Sequence, residues 1–124
     1  MPEWTSDELT RVGNADELQV ASLRGDGTLT GPRTIWVVRD GDDVYVRSVN
    51  GPTAVWFRGT RVRHEGHIQA GGVDKDVTFA DAGDSVNAQV DSAYRTKYAR
   101  YPDQYVQAIT SPEAASTTMR LVPR

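Results

Sequence analysis

Two hairpin signals constrain this chain more than any other feature. The stretch IWVVRDGDDVYVRS, Ile35 to Ser48, sets two apolar runs around the acidic turn Asp40-Gly41-Asp42-Asp43. The stretch GHIQAGGVDKDVTF, Gly66 to Phe79, sets two alternating runs around Gly71-Gly72. Turns this short join antiparallel strands, because a parallel pair needs a crossover of a dozen residues or more. Hairpins closed by glycine turns suit a sheet that curls on itself better than a parallel sheet.

The remaining pattern fills in around them. Thr5 and Glu8 form a capping-box arrangement ahead of Leu9 and Val12, which predicts a short opening helix ending at Gly13-Asn14. Glu17 to Leu23 alternates and reads as an edge strand, followed by the turn Arg24-Gly25-Asp26-Gly27. Ile35 to Arg39 contains four consecutive apolar residues, which predicts a strand buried on both faces. Val44 to Val49 returns, with Tyr45 and Arg47 on one face and Val46 and Ser48 on the other. Val55 to Arg58 reads as a further strand, with Trp56 and Arg58 sharing a face and Gly59 marking a bulge. Lys75 falls on the apolar side of its strand, where it must snorkel outward or meet an acid. Val86, Val90, Ala93, Tyr94 and Tyr98 have helical spacing, so a helix is predicted from about Asp84, with Asp84 or Ser85 as its cap, to Tyr98. Gln104 to Ile109 adds another turn or two of helix, and Thr117 to Val122 a final strand. The predicted fold is mainly β with α+β elements: one domain, 1–124, forming a small antiparallel barrel, closed or partly closed, flanked by helices; the resemblance described below makes it a split barrel.

Composition removes several functions. The 124 residues include no cysteine, which excludes disulfides, thiol chemistry and cysteine-ligated zinc. Fourteen basic against 17 acidic residues give a net charge of -3, which counts against general nucleic-acid binding despite the mixture of Tyr and base from Tyr94 to Tyr105. No stretch approaches the roughly 20 apolar residues of a membrane helix, and the amino terminus lacks a signal-peptide pattern. A cytoplasmic protein is expected. His64 and His67 are the only histidines, and a turn with Glu65 between them is a poor metal scaffold, so no metal is expected. Asp74 and Asp76 share a strand face and are read as solvating it. The chain has no GxSxG elbow, GxGxxG or phosphate-loop signature.

IWVVRDGDDVYVRS, the Gly-Pro loop after it, VWFRG, GHIQAGGVDKDVTF and the later AYRTKYARY together resemble the uncharacterised bacterial domain-of-unknown-function family 2255, over about Trp4 to Tyr101. That family lies within the split-barrel superfamily of flavin- and deazaflavin-binding proteins. Its members include flavin mononucleotide (FMN) oxidases, flavin reductases, nitroreductases using coenzyme F420, and haem-binding proteins, many of them homodimers with cofactor sites at the subunit interface. The resemblance implies a phosphate contact near Arg47 and Ser48, another in the loop from Asn50 to Ala54, and a cofactor wall at Trp56, Phe57 and Arg58. The chain departs from the superfamily pattern at Thr53-Ala54, where many members carry Lys or Arg, and at Arg58-Gly59, where an Asn is common.

Two functions therefore stand open. One is an FMN- or F420-binding oxidoreductase acting on a small molecule. The other is a non-enzymatic split-barrel homodimer with a degenerate cofactor site, structural or ligand-binding. In either case the expected ligand site comprises Arg47, Ser48, Asn50 and Gly51 around a phosphate or carboxylate, with Trp56, Arg58 and Arg61 beside it. Arginine offers five donors and serine one. Strand parity sends Arg47 and Ser48 to opposite faces, so they can share a ligand only if the chain turns after them, which Gly51 allows.

Overall fold

The computed structural model describes residues 3–124. Helix α1 (Ser6–Asn14) starts at the capping box: the Thr5 hydroxyl accepts from the Glu8 amide at 3.1 Å, and the Glu8 carboxylate accepts from the Thr5 amide at 2.9 Å. The strands are β1 (Leu18–Ser22), β2 (Arg33–Ile35), β3 (Val38–Asp40), β4 (Asp43–Val46), β5 (Glu65–Ala70), β6 (Val73–Asp81) and β7 (Met119–Pro123). All pair antiparallel in one sheet, in the order β2-β1-β5-β6-β7-β4-β3. The outermost strands, β2 and β3, are joined by Trp36-Val37 alone. From Ile35 to Val38 the chain can reach at most about 11 Å. The two edges must therefore lie close together, and the sheet curls into a half-barrel with a split between them. The predicted split barrel is the observed fold.

Three local expectations are corrected. First, β1 is not an edge strand: β2 pairs with it on one side and β5 on the other. The loop after the Arg24–Gly27 turn brings Arg33–Ile35 back alongside Leu18–Val20, a long-range pairing that no local pattern announces.

Second, the apolar run from Ile35 to Arg39 is broken at Trp36-Val37. The Val37 amide donates to the Tyr98 hydroxyl at 3.2 Å, and its carbonyl accepts from Lys97 Nζ at 2.6 Å and from the Tyr98 hydroxyl at 3.1 Å. Side chains thus replace a strand partner. Burial on two sides survives the break, since Val37 joins one core cluster and Val38 the other.

Third, Val55–Arg63 is helix α2, not a strand. Alternation over four residues also fits one helical turn. The buried residues Phe57 and Thr60 are three apart, while Val55, Arg58 and Val62 are exposed, which is helical period. Gly59 makes no bulge; a Cβ there would come 3.4 Å from Ser22 Oγ, so the glycine lets α2 lie close over β1.

Helix α3 (Asn87–Lys97) follows a 3-10 turn at Asp84–Val86; its N-cap is Val86, and neither Asp84 nor Ser85 supplies the expected cap. Helices α4 (Asp103–Ile109) and α5 (Pro112–Ala115) complete the chain ahead of β7. Two cores result. Leu18, Val20, Val44, Val46, Ile68, Val77, Phe79 and Leu121 fill the barrel beneath Leu9, Val12 and Phe57. Val38, Tyr45, Val90, Tyr94, Tyr98 and Ile109 form a second cluster where α3 and α4 cover the outside of β3 and β4. Each fully buried side chain of this size contributes about 1.5–3 kcal/mol. Lys75 meets an acid, donating to Glu8 at 2.7 Å across α1. No helix among the described residues is long and apolar enough to cross a membrane.

Candidate functional site

Arg47 follows β4 directly and points outward from the barrel, as its parity with Tyr45 requires. There it enters the second core and is 1% exposed. Its Nε donates to Thr118 Oγ1 at 2.8 Å. Nη1 donates to Asp91 Oδ1 and, at 3.1 Å, to the Ile109 carbonyl. Nη2 donates to the carbonyl and side-chain oxygens of Asn87 at 3.2 and 3.4 Å. The Tyr94 ring lies beneath, with its centroid 5.6 Å from the guanidinium carbon. These contacts match the five N–H groups of an arginine. They tie β4 to α3, α4 and the start of β7.

Ser48 points the other way and is also buried. Its hydroxyl donates to the Gly51 carbonyl at 2.7 Å, and its amide donates to Thr117 Oγ1 at 2.8 Å. Gly51 has φ +79°, and a Cβ there would stand 2.3 Å from Glu113 Cγ. Ser48 and Gly51 thus build the turn that starts α2.

A cleft of about 600 Å³ opens at the split of the barrel. Arg33, Thr34, Ile35 and Trp36 form one wall. Arg47, Val49, Asn50 and Trp56 form the floor and second wall, and Tyr101, Tyr105 and Ile109 close the third side. Trp36 is fixed by stacking on Tyr98, with ring centroids 3.9 Å apart and planes 3° from parallel, and by a tilted contact with Tyr101. Burial drives the Tyr94 and Tyr98 hydroxyls well above the usual tyrosine range, so both stay neutral.

Of the seven residues expected to form one site, the fold brings Arg47, Asn50 and Trp56 to this cleft. Ser48 and Gly51 stand behind its floor. Arg58 is exposed on α2 and does not line it. Arg61 faces elsewhere: its Nη1 and Nη2 donate to Asp81 at 2.9 and 2.6 Å, and its guanidinium lies 4.5 Å from the Phe57 centroid. The hydrogen bond from Arg61 holds the Asp81 carboxyl below its usual range. Sequence pattern did not point to Arg33, Thr34, Ile35, Val49 or Ile109 as lining residues. The available signal was the pair of core-bound strands on either side of Trp36, but the pattern alone did not reveal that the strand breaks there.

Outside the cleft, His67 sits between Asp76, at 2.7 Å, and Asp74 on the neighbouring strand. Burial pulls its pKa down, but the hydrogen bonds to Asp76 and Asp74 outweigh that, and the net direction is up.

The lining of the cleft carries no carboxylate, histidine, lysine or cysteine. Its side chains can stack on a flat ring, donate hydrogen bonds and neutralise negative charge. The volume is within the usual range for small-molecule sites, roughly 300–1,000 Å³.

The fold is shared with several solved structures at low sequence identity. A candidate pyridoxamine 5'-phosphate oxidase from Listeria innocua superimposes with a TM-score of 0.62 at 13% identity, over 94% of this chain and 90% of that one. HutZ, a heme storage protein from Vibrio cholerae, gives 0.61 at 12% identity over 96% and 89%. An F420 reductase gives 0.59 at 12% identity over 93% and 91%. The split-barrel fold is thus one that this chain shares with these three proteins. No curated protein matches the sequence. A family model does match, across residues 8–121, and the chain belongs to that family, described as uncharacterized proteins conserved in bacteria (DUF2255).

Proposed function

We propose that the cleft binds a planar, negatively charged redox cofactor of the flavin or deazaflavin kind, FMN or F420, and presents it to a small-molecule substrate. The observation that carries this reading is the lining itself: aromatic walls from Trp36, Trp56, Tyr101 and Tyr105, with the exposed Arg33 at the rim. In this reading the aromatic side chains hold the ring system and exclude water from its faces. Arg33 and the Asn50 amide take the anionic part. Arg47 shapes the floor, with its donors already engaged by Asp91, Asn87, Thr118 and Ile109. Ser48 and Gly51 set the angle at which Asn50 and Trp56 approach. The bound group would supply hydride transfer.

A homodimer belongs to the same proposal. Val49, Val55 and Tyr105 are 46%, 72% and 52% exposed, and Val49 and Tyr105 line the cleft. A second copy would cover this apolar rim. Light scattering at micromolar concentration should give twice the 13.6 kDa chain mass; a monomer would remove this part.

The test is a fluorescence titration of purified protein with FMN and with F420. Arg33→Gln should weaken the preferred cofactor about ten- to a hundred-fold, the loss of one charge-assisted contact. Tyr105→Ala should weaken it about two- to tenfold. No binding of either cofactor, or affinities unchanged in both variants, would overturn the reading. A non-enzymatic ligand-binding dimer is the second reading, favoured by Thr53-Ala54, which supplies no cation next to the cleft. It predicts binding with no turnover of the reduced cofactor by any electron acceptor.

A further inference from the structure

A second cleft, of about 440 Å³, lies between α1, β3 and α3, on the far side of the Trp36-Val37 link. Its lining is polar and includes Thr10, Arg39, Ser92, Thr96 and Lys97. Lys97 is one of only two lysines in the chain. The other, Lys75, is paired with Glu8 at 2.7 Å. Lys97 has no carboxylate within ion-pair distance among the described residues; its Nζ donates to the Val37 carbonyl at 2.6 Å and stands 5.2 Å from the Tyr98 ring centroid.

The charged groups around it do not make up the deficit. Asp16, in the loop before β1, favours the ammonium but is itself bound by Arg100. Arg100 opposes the charge, and on β3 Arg39 and Asp40 line the cleft with opposite signs. Burial is the largest influence and pulls the amine down to about 8. A neutral amine keeps two N–H bonds and a lone pair. It can hold the Val37 carbonyl with one N–H and still present its lone pair to the cleft.

We propose that Lys97 is a reactive amine and that this cleft takes small aldehydes carrying a carboxylate, which it holds as an imine. The nitrogen lone pair attacks the carbonyl carbon, and the π pair moves to oxygen. A proton passes from nitrogen to that oxygen to give a carbinolamine, and water then leaves as the C=N bond forms. Amine and aldehyde become imine and water, with no oxidant or reductant. Ser92 and Thr96 offer hydroxyls to the carbinolamine oxygen, whereas the Thr10 hydroxyl is donated to the Ser6 carbonyl at 3.0 Å. Arg39 recognises the carboxylate: its Nε donates to the Gly41 carbonyl at 2.7 Å, and its terminal nitrogens have no hydrogen-bond partner among the described residues.

The whole protein provides its own control through Lys75. It is treated with glyoxylate and cyanoborohydride, which traps the imine as a stable secondary amine, and peptide mass spectrometry follows both lysines. At about pH 8, Lys97 should be modified about ten- to a hundred-fold faster than Lys75, whose ammonium is held by Glu8. The Lys97 rate should level off above about pH 8. In urea the two rates should converge. Acetaldehyde, without a carboxylate, should show a smaller preference for Lys97, and Arg39→Gln should reduce the glyoxylate preference to that level. Labelling of Lys97 no faster than Lys75 in the folded protein would overturn the proposal. Equal preference for the two aldehydes would overturn the carboxylate assignment.

Discussion

The floor and the rim of the aromatic cleft each carry an arginine, and the two residues do opposite work. Arg47, at the floor, is 1% exposed and spends its donors on Asp91, Asn87, Thr118 and Ile109. Arg33, at the rim, is exposed on a short edge strand. A guanidinium withdrawn from water must find partners inside the protein, and once they are found it is no longer available to a ligand. One that stays in water keeps its donors for a visitor. Residue type is therefore a poor guide to which arginine recognises an anion; burial decides.

The sharpest way to break this contrast is at the floor. Arg47→Met should cost about 3–5 kcal/mol of stability, since it strands Asp91 beside an apolar side chain. Urea denaturation measures it. A loss below about 1 kcal/mol would return Arg47 to the pool of ligand contacts. The turn behind the floor comes next. Gly51→Ala places a Cβ at φ +79° and 2.3 Å from Glu113 Cγ, and should cost about 1–2 kcal/mol for the left-handed backbone plus the clash. Adding Glu113→Ala should recover the clash but not the backbone part; full recovery would show that Gly51 is there for space alone.

At the rim, Arg33→Gln should change stability by less than about 0.5 kcal/mol while weakening the cofactor. A stability loss matching that of Arg47→Met would erase the distinction between rim and floor. The smallest effect is expected at His67, a charged cluster on the outer face of β5 and β6. Its pKa is raised in the folded protein above the unfolded value of about 6.5. Protonated His67 therefore stabilises the fold fully below that unfolded value, and the contribution fades as pH rises through the higher folded one. The melting-temperature gap between wild type and His67→Gln should be wider at acidic than at alkaline pH. A gap that widens toward alkaline pH would reverse the sign assigned to the Asp76 and Asp74 contacts.

Much of this molecule is legible in its amino-acid sequence. The capping box at Thr5 and Glu8, the two glycine-turned hairpins and the apolar face of α3 are local patterns, and each involves residues within a few positions of one another. The acid expected for Lys75 is Glu8, 67 residues away, and here pattern supplied the need without the partner. Val55 to Arg58, the first half of the helix Val55–Arg63, was misread because four residues cannot separate a period of 2 from one of 3.6. Trp56 and Asn50 were named for the site and do line the cleft, whereas Arg58 was placed on the wrong face once its segment proved helical.

The amino-acid sequence by itself determined that this chain is antiparallel, cysteine-free and built from short hairpins, because turn chemistry and hydrophobic period act over a handful of residues. Only the tertiary structure decided that β2 and β3 are the two lips of a split, that Arg47 is bound inside while Arg33 is exposed outside, and that Lys97 stands in a cleft without a carboxylate partner among the described residues. Those facts depend on contacts between residues tens of positions apart. Long-range pairing leaves no periodic trace, and the burial of a charged side chain depends on what the rest of the chain packs around it.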